Sequence, residues 1–175
     1  EADLKRLFVQ DLKTGQKTFL TEGFEYDVDE LQWAANSQSL FFLSTKHAEA
    51  QLWEIALKGR KIRQITTGMH DYTSLDVQGG KILAGRQSYI EPTDLYLVDV
   101  KTGVAKQLTA ENKSTLDGLA PISVEKRWVK TTDGGNMLVW VVLPPNFDKT
   151  KKYPALLFCQ GGPQSPVRQF FSYRW

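Results

Sequence analysis

Three fifteen-residue segments of this chain stack without a gap, and their spacing limits the possible folds more than any other feature. They are LFVQDLKTGQKTFLT (7–21), LWEIALKGRKIRQIT (52–66) and LYLVDVKTGVAKQLT (95–109). Leu7, Leu52 and Leu95 open them, and an aromatic follows at Phe8, Trp53 and Tyr96. Lys13, Lys58 and Lys101 mark the middle, and Thr21, Thr66 and Thr109 close each segment. The offsets are 45 and 43 residues, and a period of about 40 to 45 residues belongs to four-stranded propeller blades of the WD type.

Each unit alternates apolar and polar residues, breaks at Lys-Thr-Gly or Lys-Gly, and resumes, which predicts a β-hairpin. Gly15, Gly59 and Gly103 supply the positive φ that such turns need. Further strand pairs are expected over 31–44 and 75–86, turning at Asn36-Ser37 and Gly79-Gly80. Two blades therefore span about 29–67 and 72–109, and residues before 22 are the tail of an earlier one. A propeller closes its ring with typically four to eight blades, and about two and a half cannot. Open blades expose unpaired strand edges, so self-association of the isolated segment is expected. Trp33, Trp53 and Tyr96 fall at repeat positions and are assigned to packing between blades.

Lys plus Arg number 22 against 20 Asp plus Glu, a formal charge of +2 that gives no sign of a nucleic-acid or membrane-surface partner. An apolar fraction of 41% with 11% aromatics is the profile of a globular protein rather than a disordered one. No apolar run nears the roughly 18 residues of a transmembrane helix. Cys159 is the single cysteine, which excludes an intrachain disulfide and a cysteine-based zinc site and leaves the compartment open. Closing the apolar run ALLFC, it is expected to be a small buried hydrophobe. His47 and His70 are assigned to loops or the surface, and His70-Asp71 to turn chemistry, because two residues do not make a metal site.

After Thr109 the repeat stops. Residues 111–123 are polar and contain Gly118 and Pro121, which places a linker at 113–122 between blades (1–112) and a second domain (123–175). There strands are expected near 124–130 and 137–143, joined at Asp133-Gly134-Gly135 and ended by Pro144-Pro145. The run 155–159 is short and continuously apolar, as in a strand covered on both faces of an α/β sheet.

The repeats resemble the blades of TolB-type and peptidase propellers, with Ala35-Asn36-Ser37 where those have Pro-Asp-Gly. Asp133-Gly134, then Leu143-Pro144-Pro145-Asn146-Phe147-Asp148, then Lys152-Tyr153-Pro154 leading through ALLFC into Gly161-Gly162-Pro163, resembles the start of the catalytic domain in the prolyl oligopeptidase family. Gln164-Ser165 after that turn is similar to the acylaminoacyl peptidase and dipeptidyl-peptidase V branch, although Gln160 stands where His is usual. The resemblance implies a mainly β segment: the end of a propeller followed by the first strands of an α/β-hydrolase domain.

A diglycine bend after a buried strand can present backbone N–H groups to a ligand, since no Cβ blocks approach. α/β-Hydrolases draw one oxyanion donor from this turn. The resemblance makes Gly162 that donor, with Gly161 and Pro163 setting the geometry of the turn. No Gly-x-Ser-x-Gly elbow occurs anywhere, so the Ser-Asp-His triad of such an enzyme is not in this sequence and the segment alone should be inactive. Arg168 and Arg174, beside Phe170, Phe171 and Tyr173, follow the turn and either face a cleft or lie in a solvated loop or helix start. The implied parent is a serine peptidase that releases N-terminal dipeptides or acyl-amino acids from oligopeptides, with no cofactor or metal, and bacterial relatives are often periplasmic. The rival is a non-catalytic propeller that binds a protein partner, and residues 121–163 discriminate, because a pure propeller has no reason to leave its period.

Overall fold

The computed structural model describes residues 3–159 and 165–173. They divide into two units, one of residues 3–110 with 168–173, the other of residues 111–159 with 165–167.

In the first unit, β1 (Phe8–Gln10) and β2 (Lys17–Phe19) form an antiparallel hairpin with Phe8 opposite Phe19. The strands β3 (Asp29–Trp33), β4 (Ser39–Lys46), β5 (Glu49–Ala56) and β6 (Ile62–Gln64) follow as a four-stranded antiparallel meander. A second meander contains β7 (Asp71–Tyr72), β8 (Asp76–Gln78), β9 (Lys81–Gln87), β10 (Asp94–Asp99) and β11 (Ala105–Gln107). Both β7 and β8 pair with β9, so the first strand of this blade is broken in two. The expected blades are present.

Hydrogen bonds explain why Leu and Thr recur. In every unit the Thr Oγ1 accepts the N–H of the Leu fourteen residues earlier: Leu7 to Thr21 at 2.9 Å, Leu52 to Thr66 at 3.0 Å and Leu95 to Thr109 at 2.9 Å. The residue before each Thr donates its N–H back to that Leu's carbonyl, at 2.8 Å in all three. The turns of the outer units rest on an aspartate the repeat did not single out. Asp11 accepts the N–H groups of Lys13 and Thr14, and Asp99 those of Lys101 and Thr102. These bonds hold the Asp11 carboxyl below its ordinary range, while the Lys81 ammonium and then the Thr102 N–H do so for Asp99.

The core lies between successive sheets. Phe41, Leu43, Leu52 and Ile65 pack against Tyr72, Ile82, Ala84, Val98 and Val100 of the next blade. Leu40, Phe42, Trp53 and Ile55 face the other way, onto Leu7, Leu20 and Val28. Successive side chains of a strand point to opposite faces, so β4 serves both clusters, which is why Leu40 to Leu43 read as an unbroken apolar run. Each such side chain, fully buried, contributes about 1.5 to 3 kcal/mol. Trp53 packs between sheets as expected, Tyr96 is buried with the Arg86 guanidinium over its ring, and Trp33 is 46% exposed at the end of β3.

The second unit opens with the single turn α1 (Lys113–Leu116), braced by an ion pair from Lys113 to Asp117. Its sheet is the hairpin of β12 (Ser123–Lys130) and β13 (Asn136–Leu143), paired in register from Ser123 opposite Leu143 to Lys130 opposite Asn136. At the turn Gly134 takes a φ of +86° and Asp133 accepts the Gly135 N–H.

Residues 155–159 depart from expectation. They form no strand, and Leu156, Leu157 and Phe158 are 101%, 86% and 74% exposed. Cys159 is likewise exposed rather than buried. A strand exists only through the ladder beside it, and among the described residues no segment pairs with this run or covers it. No helix among them is long and apolar enough to cross a membrane.

Candidate functional site

Gly161, Gly162 and Pro163, on which the oxyanion reading rests, lie outside the described residues, as do Gln160, Gln164 and Arg174. The described chain resumes at Ser165. Trp140, on β13, donates its indole N–H to the Val167 carbonyl at 2.8 Å.

The next three residues bring together groups that sequence reasoning treated separately. Arg168, expected in a cleft, a solvated loop or a helix start, directs its guanidinium at both meanders: Nε lies 3.6 Å from Asp71 Oδ2 on β7 and Nη1 3.3 Å from Thr45 Oγ1 on β4. Gln169 is 1% exposed, and its carboxamide oxygen accepts the Tyr89 N–H at 3.1 Å. Phe170 sets its ring 5.9 Å from that of Tyr89. The segment is neither helix nor strand, so side chains and the bonds they make hold it in place.

Asp71 is the centre of this cluster, not a turn residue. It opens β7 with a side chain only 3% exposed, and its Oδ1 accepts the Ala50 N–H at 2.8 Å. Burial pushes its carboxyl up to about 6, opposed by the Ala50 and Gln169 N–H groups and by Arg168, and reinforced by Glu49. Burial, with a smaller push from Asp71, raises Tyr89 to about 12.

His70 is half-buried rather than superficial. Burial, then the Arg86 charge, lowers its imidazole to about 4, so the ring is neutral. Its ring meets Tyr72 edge-on at 5.2 Å, and Nε2 has no hydrogen-bond partner among the described residues. His47 stays in the exposed β4–β5 turn, as expected.

A cavity of about 340 Å³ borders the cluster, lined by Asp29, Glu30, Asp71, Thr73, Gln87 and Arg168 among others. Among the described residues no group of three or more His, Cys, Asp or Glu side chains is placed to hold a metal ion. The His70-Asp71 pair was assigned to turn chemistry, so the sequence did not signal this cluster, and Gln169 carried no signal either, since nothing local marks a glutamine for burial.

No protein-family profile matches the chain. Dipeptidyl-peptidase 5 of Porphyromonas gingivalis is 60% identical over 175 residues, the whole of this chain and 26% of that protein. A second dipeptidyl-peptidase 5, from Porphyromonas endodontalis, is 54% identical over 137 residues, 78% of this chain and 20% of that one. An acylaminoacyl peptidase solved in complex with Z-Gly-Gly-Phe-chloromethyl ketone matches 97% of this chain and 25% of its own, with a TM-score of 0.79 at 20% identity. The β-propeller domain of a protease from Pyrococcus furiosus matches 63% of this chain with a TM-score of 0.52 at 19% identity, in keeping with a fold of propeller blades. The chain spans about a quarter of the length of the curated relatives it matches. It belongs to the prolyl oligopeptidase family, as a segment of one of its members.

Proposed function

We propose that this chain is part of a serine peptidase that removes N-terminal dipeptides from oligopeptides, with residues 1–112 as the last blades of its propeller, 113–122 as a linker and 123–175 as the start of its α/β-hydrolase domain. The observation that carries this is continuity: 60% identity to a dipeptidyl-peptidase 5 extends over all 175 residues of the chain. In this reading the Ser-Asp-His triad lies outside the chain and acts by acyl transfer without a metal or organic cofactor. The Gly162 N–H donates to the oxyanion of the tetrahedral intermediate, Gly161 allows the bend, and Pro163 fixes its exit.

Removing one such donor costs about 2.7 to 4 kcal/mol of transition-state stabilisation. In the longer protein, Gly162→Pro, which deletes the N–H, is therefore expected to lower kcat by about two orders of magnitude or more. Unchanged turnover in a folded variant would remove Gly162 from the mechanism. Covalent labelling of the parent by a fluorophosphonate tests the serine nucleophile directly, and a parent that takes no label is not a peptidase of this kind.

A further inference from the structure

The tip of the β4–β5 hairpin is held from outside its own sheet. Thr45 and Ala50 face each other there, the second pair from the His47-Ala48 turn. The Ala50 N–H donates to Asp71 Oδ1 at 2.8 Å, Arg168 Nε lies 3.6 Å from Asp71 Oδ2, and Arg168 Nη1 donates to Thr45 Oγ1 at 3.3 Å. The four residues thus close a ring through both meanders and a segment remote from them in sequence. All four line the cavity of about 340 Å³.

Neither side of the ring is complete without the other. Asp71 is 2% exposed, and a buried carboxylate is costly unless it is paired and hydrogen-bonded. The first meander supplies the Ala50 N–H, while the Gln169 N–H and the Arg168 guanidinium come from the 168–170 segment. That segment is pinned in turn: Gln169 is 1% exposed, its carboxamide oxygen accepts the Tyr89 N–H from the β9–β10 connection, and Phe170 packs on Tyr89. The hairpin tip needs such support, because His47 and Ala48 hold left-handed φ values that a Cβ disfavours.

We propose that Asp71, Arg168 and Gln169 form a clasp, in which docking of residues 168–170 latches the tip of the β4–β5 hairpin to β7 and so fixes the wall of the cavity that these elements line. Removing one partner of a buried pair leaves the other charge uncompensated, so the contacts of the ring part together rather than one by one. Opening stays local. Phe41, Leu43 and Leu52 still pack on Tyr72 and Ile82, and the Gln32 carboxamide joins the same two meanders elsewhere, donating to Asp76 at 2.9 Å and accepting the Val77 N–H at 2.6 Å. The clasp is a property of the blades and holds whatever reaction the longer protein catalyses.

Amide hydrogen exchange read by mass spectrometry on the longer protein tests this, with Arg168→Ala, Thr45→Val, Asp71→Asn and the Arg168→Ala/Asp71→Asn double variant. The Arg168 and Thr45 side chains are not fully buried, so those two substitutions carry the test even if Asp71→Asn fails to fold. Arg168→Ala should speed exchange about tenfold in a peptide spanning 46–51, the scale of a hydrogen bond to a charged group, and leave 76–78 at the parental rate. Thr45→Val, at the far side of the ring, should speed exchange across 168–172 at least about twofold. Residues that act as one device are not additive, so the double variant should exceed the worse single at 46–51 by less than the product of the two effects. Parental exchange at 46–51 in Arg168→Ala, parental exchange at 168–172 in Thr45→Val, a fully multiplicative double variant, or an equal rise at 76–78 would each overturn the clasp.

Discussion

Gly15 and Gly103 occupy the same place in two repeats and carry nearly the same φ, +74° and +72°, yet they are not equivalent. A Cβ on Gly15 would meet nothing within 4 Å, whereas one on Gly103 would lie 2.2 Å from the Ile65 carbonyl oxygen. Gly15→Ala therefore carries only the left-handed backbone term, about 1 to 2 kcal/mol. Gly103→Ala adds a clash with backbone that cannot swing aside, and is expected to destabilise by at least about 1 to 3 kcal/mol more, the usual cost of forcing extra atoms into a packed site. Urea melts of the two variants in the longer protein check this, and equal losses would show that the Ile65 strand yields. Positive φ at both glycines was legible in the sequence, because Lys-Thr-Gly between two strands is turn chemistry. The close approach of Ile65 was not, because it comes from the neighbouring sheet, and a repeat pattern says what recurs within a unit rather than what the next unit presses against it.

The strand pairs were legible for the same local reason, and their exceptions are instructive. The β4–β5 hairpin turns through His47 and Ala48, both at positive φ (52° and 61°), in the primed geometry that usually selects Asn-Gly. Eight paired positions and burial on both faces impose that turn on residues that do not favour it. The recurrent Thr is the converse, visible as a letter but mute as to cause. Thr66 is 3% exposed and caps the buried Leu52 N–H, so Thr66→Val leaves that donor unsatisfied at a cost of about 1 to 3 kcal/mol. Thr109 makes the same bond to Leu95 near solvent, where water can replace it, and Thr109→Val should cost no more than about 1 kcal/mol. Faster amide exchange at Leu52 in the Thr66 variant, without a matching change at Leu95, would assign the loss to this bond. The run 155–159 has the apolarity of a strand without forming one, because apolarity reports an intended environment, and pairing is supplied by neighbours that no local pattern contains.

For the molecule as a whole, bare edges and the exposed Leu156, Leu157 and Phe158 predict that this chain, expressed alone, associates; a monodisperse monomer in light scattering would contradict this. Its response to pH is accordingly a question for the longer protein, where two adjacent buried groups pull in opposite directions. The Asp71 carboxyl is raised to about 6 from an unfolded 3.8, so between those values the folded state holds the extra proton and stability falls as pH rises. The His70 ring is lowered to about 4 from 6.5, so across nearly the same window the unfolded state holds the extra proton and stability rises with pH. The two contributions have opposite signs across this window, so in the parent each offsets the other. Removing either group should expose the other. Relative to parent, Asp71→Asn is expected to lose thermal stability as pH falls from 6.5 to 4, when the neutral His70 is forced to accept a proton or the fold to open. His70→Gln should instead gain on the same descent, as the buried Asp71 takes up its proton. The difference in Tm between each variant and parent across that range measures the sign, and slopes of the same sign in both variants would mean that the two residues do not titrate in the environment the blades give them.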